Sequence, residues 1–212
     1  MRYDGRHSQG DGHDDRYAGQ DGAHRRAAAG RARLRRDVLP GRHRPVRAPR
    51  GSIYHHFPGG KEQLAAEALR WYAGRNRVQV GGDAPGGRAL DAVAGYFAAM
   101  ASWLRKTDFK GGCPIAGVAL DVGPDEPLHA VVAAAFADWR GVLEHAFQAE
   151  GCAPGTARAL GALVIAAAEG ALLLARAERD LTAYQDVAAE VLWHLRTTLA
   201  AAAGEPAASA VR

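Results

Sequence analysis

The chain has 212 residues, 48% hydrophobic but only 7% aromatic, with two cysteines and a formal net charge of +4. That length holds one large domain, or a small domain joined to a larger one. The two cysteines, Cys113 and Cys152, lack CxxC spacing, which excludes a disulfide framework and fits a reduced cytoplasmic protein without a secretory signal segment. Charge is unevenly placed. Residues 1–50 hold 13 arginines, no lysine and six aspartates, for +7, whereas residues 51–212 carry 14 basic and 17 acidic groups, for −3. Any basic surface therefore belongs to the N-terminal part.

Residues 1–47 contain no Ile, Phe or Trp, only 13 of the 47 are apolar, and no hydrophobic period runs through them. Such a composition cannot offset the entropy of ordering it, so a disordered basic segment is expected. Residues 48–80 change character. A short helix is expected over 49–56, ending at "FPGG", and a longer one over 61–79 with Leu64, Ala68, Leu69 and Tyr72 at helical spacing. "GGDAPGG" (81–87) is a loop.

Residues 81–203 read as a larger helical domain. Leu90, Val93, Phe97, Met100 and Leu104 give the helical period over 88–106, and a short apolar segment, "PIAGVAL", follows at 114–120. Residues 126–150 carry Leu128, Val132, Ala135, Trp139, Leu143 and Phe147 on one stripe. Residues 155–178 are apolar nearly all round, and 181–203 place Tyr184, Val187, Val191, Leu195 and Leu199 on one face. Residues 204–212 form a short tail. No strand pattern appears, so the fold class is all-α.

The run "GALVIAAAEGALLLA" (161–175) is shorter than the roughly 20 residues a bilayer needs and carries Glu169. A buried helix is expected, with no membrane partner. A helix apolar around its circumference needs cover on several sides. A homodimer pairing the last two helices with their copies supplies it, with Leu160, Val164, Leu173, Val191 and Leu195 as interface candidates.

In "APRGSIYHHFPGGKEQL" (48–64), Pro49 suits a first helical turn, and Ile53 and Phe57 share an inward face. Arg50, Ser52, Tyr54 and His55 then face outward. Lys61 opens the next helix, where the helix dipole already disfavours a cation; a bound phosphate would make sense of it. His55 and His56 point about 100° apart on a helix, which argues against a metal.

The order Arg50, Gly51, Ser52, Ile53, Tyr54, His55, His56, Phe57, Lys61 resembles the recognition-helix end of the helix-turn-helix in TetR-family transcriptional regulators. "GGCPIAGVAL" (111–120) is similar to a segment of the LmrA/YxaF-like subgroup. The resemblance covers about 48–203. It implies a partial helix-turn-helix DNA-binding region followed by a helical ligand-binding and dimerisation domain, in a homodimeric repressor of a double-stranded DNA operator. Arg50, Gly51, Ser52, Tyr54, His55 and Lys61 would contact bases and phosphates. A small-molecule inducer would sit between helices, its pocket drawn from Tyr96, Met100, Trp103, Cys113, Trp139 and Glu169. The plain alternative for those aromatics and for Cys113 is ordinary core. Glu169 needs Arg176, a solvated cavity or a polar ligand as partner. No paired carboxylates, nucleophile elbow or phosphate loop occurs, so no enzyme, cofactor or metal site is expected.

The family's first helices are not legible in residues 1–47. Read one nucleotide later through degenerate codons, His24-Arg25 gives Ile or Thr, and Ala27-Ala28-Ala29-Gly30 permits Leu-Leu-Leu. In the same register Arg33-Leu34-Arg35 permits Gly-Phe, Asp37-Val38-Leu39 permits Thr-Ser or Thr-Phe, and His43-Arg44 permits Ile. A helix ending in Gly-Phe, then Thr-Ser and a second helix, is what the family would place there. A changed reading frame over residues 1 to about 47 is therefore expected. The chain as written would bind DNA only weakly and non-specifically through its arginines. The alternative function is a helical ligand-binding or dimerisation protein that has lost specific DNA binding with its N-terminal helices.

Overall fold

The computed structural model describes residues 55–81 and 88–204. Among them lie six helices and no strand: α1 (Gly60–Gly81), α2 (Ala89–Lys106), α3 (Pro114–Asp121), α4 (Pro127–Ala149), α5 (Pro154–Glu178) and α6 (Thr182–Ala202). Five of these helices lie within two residues of the bounds expected from hydrophobic spacing; the sixth, α3, falls on the segment 114–120, read from the sequence only as short and apolar. The expected helix over 49–56 falls mostly outside the described residues, with only His55 and His56 seen in helical form. The segment 1–47, the loop residues 82–87 and residues 205–212 of the tail also lie outside them.

Local chemistry sets the helix ends. Pro114, Pro127 and Pro154 occupy first-turn positions, where proline costs no hydrogen bond. The Cys113 side chain caps α3, its Sγ accepting from the Ala116 N–H at 3.5 Å. The Thr107 hydroxyl turns back onto the carbonyls of Trp103 and Leu104 and closes α2. Gly151 takes φ +93 before α5, Arg179 ends α5 with φ 57, and Asp180 Oδ1 accepts from the Thr182 N–H at 2.6 Å to open α6.

Helix α4 is the hub: α5 and α1 pack most heavily against it, and α6 packs on α5 and α2. Its stripe of Val132, Ala135, Trp139, Leu143 and Phe147 is buried throughout. At the α4–α5 crossing a Cβ on Gly161 would stand 3.0 Å from the Arg140 carbonyl, so glycine lets the two backbones meet. Helix α5 is long and apolar enough to cross a membrane by length and composition. Nine of its residues are buried against neighbouring helices.

The interface expectation needs correction. Leu160, Val164, Val191 and Leu195 are 0–6% exposed and covered by the chain's own helices, so they present nothing to a second copy. Only Leu173, 65% exposed, stays on the surface, joined by Leu163, Leu174 and Trp193. The reason is geometric. A helix apolar all round splits its faces, and hydrophobicity alone does not say which half the chain itself covers.

Candidate functional site

Two places are candidate sites: the turn that opens α1, and a polar cluster in the helical body in which Tyr96 and Asn76 are buried and Tyr72, Cys113 and Glu169 half-buried. At the turn, His55 and His56 are exposed and their rings meet edge-on, centroids 5.0 Å apart. Phe57 is half-buried, its carbonyl accepting from the Gly60 N–H at 2.7 Å, and Gly60 takes φ 68. The Gly59 N–H donates to Gln63 Oε1, whose amide reaches Glu67. Those two N–H groups are therefore engaged and unavailable to a phosphate. Lys61, second in α1 and exposed, is the cationic group of this turn. Arg50, Gly51, Ser52 and Tyr54 lie outside the described residues.

The second place assembles from four helices. Glu169 projects from α5 with burial and the Cys113 side chain as the two influences on its carboxyl; burial, the larger, holds it above the usual carboxylate range. Cys113, at the head of α3, has its thiol pushed well up by burial, then by Glu169. Tyr96 of α2 is raised by burial and then by Glu169, with Asn76 of α1 bonding to it in the opposite sense. Tyr72 of α1 is raised by burial, then by Cys113, Tyr96 and Glu169. Five polar side chains thus converge inside an apolar bundle. Asn76 is the buried polar residue among the described core.

Rings surround them. Tyr72 meets Trp139 edge-on at 6.5 Å, Phe136 meets Trp139 at 5.6 Å, and Phe97 stands between Tyr96 and Tyr184. Tyr184 donates its hydroxyl to the Phe97 carbonyl at 3.1 Å. Met100 lies buried one turn after Tyr96 on α2. Trp139 is fully buried with its indole N–H committed to the Ala73 carbonyl at 2.9 Å, so it braces α1 against α4.

The loop joining α2 to α3 carries the double glycine. A Cβ on Gly111 would stand 2.3 Å from the Trp103 ring, and one on Gly112 would stand 2.9 Å from Arg176 Nη1. The Trp103 ring thus packs directly against the loop backbone at Gly111. Arg176, the partner considered for Glu169, donates instead to the carbonyls of Lys110 and Gly111, at 2.9 and 3.1 Å. Asp108, left-handed at φ 53, pairs with Lys110 and Arg179, which hold its carboxyl below the usual range. The loop is thereby tied to the end of α5, and Cys113 is delivered to the cluster.

Sequence reasoning placed Tyr96, Cys113 and Glu169 in one pool, and they meet. In the sequence Tyr72 reads only as one of the residues at helical spacing on α1, and Asn76 is not singled out. Their i, i+4 spacing on the buried face of α1, with an amide among apolar positions, was the available signal.

The all-helical body, entered through a helix that begins at an exposed lysine turn, has the form of a TetR-type regulator's C-terminal domain. Residues 89–190 match the family described as "Transcriptional regulator LmrA/YxaF-like, C-terminal domain". The HTH-type transcriptional regulator Rv0196 of Mycobacterium tuberculosis is 42% identical over 142 residues, 64% of this chain and 71% of that protein. YxaF and LmrA of Bacillus subtilis, both named HTH-type transcriptional regulators, are 32% and 30% identical, and the match spans 72% and 73% of their lengths. A TetR transcriptional regulator from Chloroflexus aurantiacus superposes with a TM-score of 0.56 at 27% identity, over 69% of this chain and 77% of that one. The chain belongs to the LmrA/YxaF-like group of the TetR family of transcriptional regulators.

Proposed function

We propose that the gene product is a homodimeric repressor, acting in the cytoplasm, that leaves its operator when a small molecule enters the cluster around Glu169. The observation that carries this reading is the layout of α1. Lys61 stands at its first turn, while Tyr72 and Asn76, on the same helix, belong to the buried cluster. Eleven residues of α-helix separate Lys61 from Tyr72, about 16 Å at 1.5 Å per residue. A ligand wedged between Tyr72, Tyr96 and Glu169 displaces α1, and the displacement reaches the DNA-facing turn as a change in spacing between the two reading heads. Arg50, Gly51, Ser52, Tyr54 and His55 would read bases and phosphates, and Lys61 would hold a phosphate. Leu163, Leu173, Leu174 and Trp193 would supply the face between copies.

Residues 1–47 bear on which polypeptide does this. Their 13 apolar positions in 47 cannot build the core beneath a recognition helix. The DNA-binding product therefore carries a different reading frame upstream of codon 48, and the chain as written is the ligand-binding and dimerisation part with a basic N-terminal arm. Gel-shift assays on DNA flanking the gene test this with both polypeptides. The frame-restored product should shift a discrete fragment at physiological salt, and the chain as written should bind only weakly and lose binding as salt rises. Specific binding by the chain as written, or a locus without a compensating one-base shift near codon 47, would overturn the frame assignment.

A further inference from the structure

We infer that Asp108 and Arg179 form an ionic catch between the ends of α2 and α5, closed at low ionic strength and opened by salt, which sets how firmly α3 is seated. The inference stands apart from the Glu169 cluster and needs no ligand. Its first support is backbone conformation. Among the described residues, the non-glycine residues in the left-handed region are Asp108, Phe109 and Arg179, at φ 53, 55 and 57. All three stand at this one junction. Left-handed residues of this kind persist only where surrounding contacts hold them, and they gather at clamps and switches.

The chemistry of the two helix ends shows what they are for. Helix α2 closes with the Asp108 N–H donating to the Arg105 carbonyl at 3.1 Å and the Phe109 N–H to the Leu104 carbonyl at 2.9 Å. Glycine is the usual residue at the left-handed position of such a turn, because it adopts that conformation without strain. Arg179 ends α5 in the same conformation. Glycine at either place would make the turn but offer no side chain. Here the side chains meet: Arg179 Nη2 donates to Asp108 Oδ1 at 2.9 Å, and Lys110 Nζ donates to Asp108 Oδ2 at 2.7 Å. An aspartate just past a helix C-terminus also opposes the helix dipole. Strain and dipole both work against Asp108, and its bonds to Arg179 and Lys110 offset them.

Those bonds are open to solvent. The side chains of Asp108 and Arg179 are each 57% exposed, so their attraction is screened as the Debye length shrinks from about 10 Å at 0.1 M salt to about 3 Å at 1 M. When the catch releases, Asp108 and Phe109 leave the left-handed region and the turn that closes α2 is lost. The chain then runs through Gly111 and Gly112 into α3. That helix has eight residues, buries Ile115 and Val118 and leaves Leu120 exposed, so its head follows the loop. Helix α3 packs on α4 and touches α1, and ionic conditions thereby reach the seat of α1.

Amide hydrogen exchange of the full chain, read residue by residue by NMR, tests the catch. Between about 0.05 M and 1 M sodium chloride, exchange at Phe109 and Lys110 should speed up about twofold to fivefold, the effect of losing exposed ion pairs. The α3 amides from Gly117 to Asp121 should follow, and Leu143 in the core of α4 should not. Asp108→Asn, which tolerates the left-handed backbone but carries no charge, should exchange fast at both salt levels. Arg179→Gln should do the same. Asp108→Gly removes strain and charge together, so it should restore protection at Phe109 with no response to salt.

A native loop indifferent to salt, or a salt response kept in Asp108→Asn or Arg179→Gln, would overturn the catch. A response shared equally by Leu143 would overturn it as well, since the whole fold would then be loosening. A response confined to the loop would overturn the coupling to α3.

Discussion

The indole of Trp139 on α4 donates to the backbone carbonyl of Ala73 on α1 across 2.9 Å, from a side chain with no exposed surface. This bond fixes the depth of α1 against the hub helix one residue after Tyr72, whose ring also meets Trp139. In the proposed reading, a ligand beside α1 would act on a DNA-facing turn at its start through movement of this helix, whose resting position Trp139 sets.

Trp139→Phe removes the donor and part of the ring. A loss of about 1–3 kcal/mol is expected from the unmade bond and the space left behind. Urea denaturation followed through Trp103 and the other remaining tryptophans measures it. A variant as stable as the native protein would show that the bond does not brace α1.

Gly111→Ala forces a methyl group to within 2.3 Å of the Trp103 ring. Either the ring or the loop must shift, at an expected cost of about 1–3 kcal/mol. Gly117→Ala, within α3 and with open space around it, should be neutral or stabilising by about 0.5–1 kcal/mol. Thermal melts of the two variants should move in opposite directions or differ clearly in size; equal shifts would refute the close packing at Gly111.

Arg176→Met keeps the aliphatic stem but deletes both bonds to the loop carbonyls of Lys110 and Gly111. Amide hydrogen exchange should speed up over residues 108–113 while the core of α4 and α5 keeps its protection. Unchanged exchange in that loop would show that the guanidinium does not hold it.

Glu169 gives stability a pH dependence of definite sign. Its folded-state pKa is raised, so its contribution is fully present below the ordinary glutamate range and is lost as pH rises through the folded value. Glu169→Gln lacks this loss. The melting temperatures of the two proteins should approach each other in acid and separate as pH rises, with the glutamine variant the higher. Parallel curves would mean that Glu169 is as well solvated folded as unfolded.

Leu173→Glu places a charge on the outer face of α5. Sedimentation velocity should show it shifted to monomer, with the helical circular dichroism of the native protein. Leu120→Glu, at a site 83% exposed on α3, should leave the assembly unchanged. If Leu173→Glu sediments as the native protein does, the face between copies lies elsewhere.

The helices were legible because each carries its own period. Val93, Phe97, Met100 and Leu104 on α2, or Val132, Ala135, Trp139, Leu143 and Phe147 on α4, recur at the spacing that lines one side of a helix, and prolines and glycines mark the ends. The turn "FPGG" was equally readable, since its chemistry is local; "GGCPIAGVAL" was legible only as a resemblance, and the Cys113 cap and the packing of Gly111 on Trp103 came with the structure. Glu169 stood out as a carboxylate in an apolar helix.

What partners these groups find is not local. Arg176 follows Glu169 by seven residues, two turns along one face, and spacing alone would pair them; the loop carbonyls of Lys110 and Gly111 claim the guanidinium instead. Leu160 and Leu173 are equally hydrophobic on one helix, yet one is sealed inside the bundle and the other left in solvent. Tyr72 and Asn76 became part of the site only when α1 came to rest beside Tyr96 and Cys113. Periodicity determines which elements form, because it is a property of neighbours in the chain. The ownership of each buried charge and the covered half of each apolar helix are decided by groups about 65 residues apart in sequence, which meet only when the bundle closes.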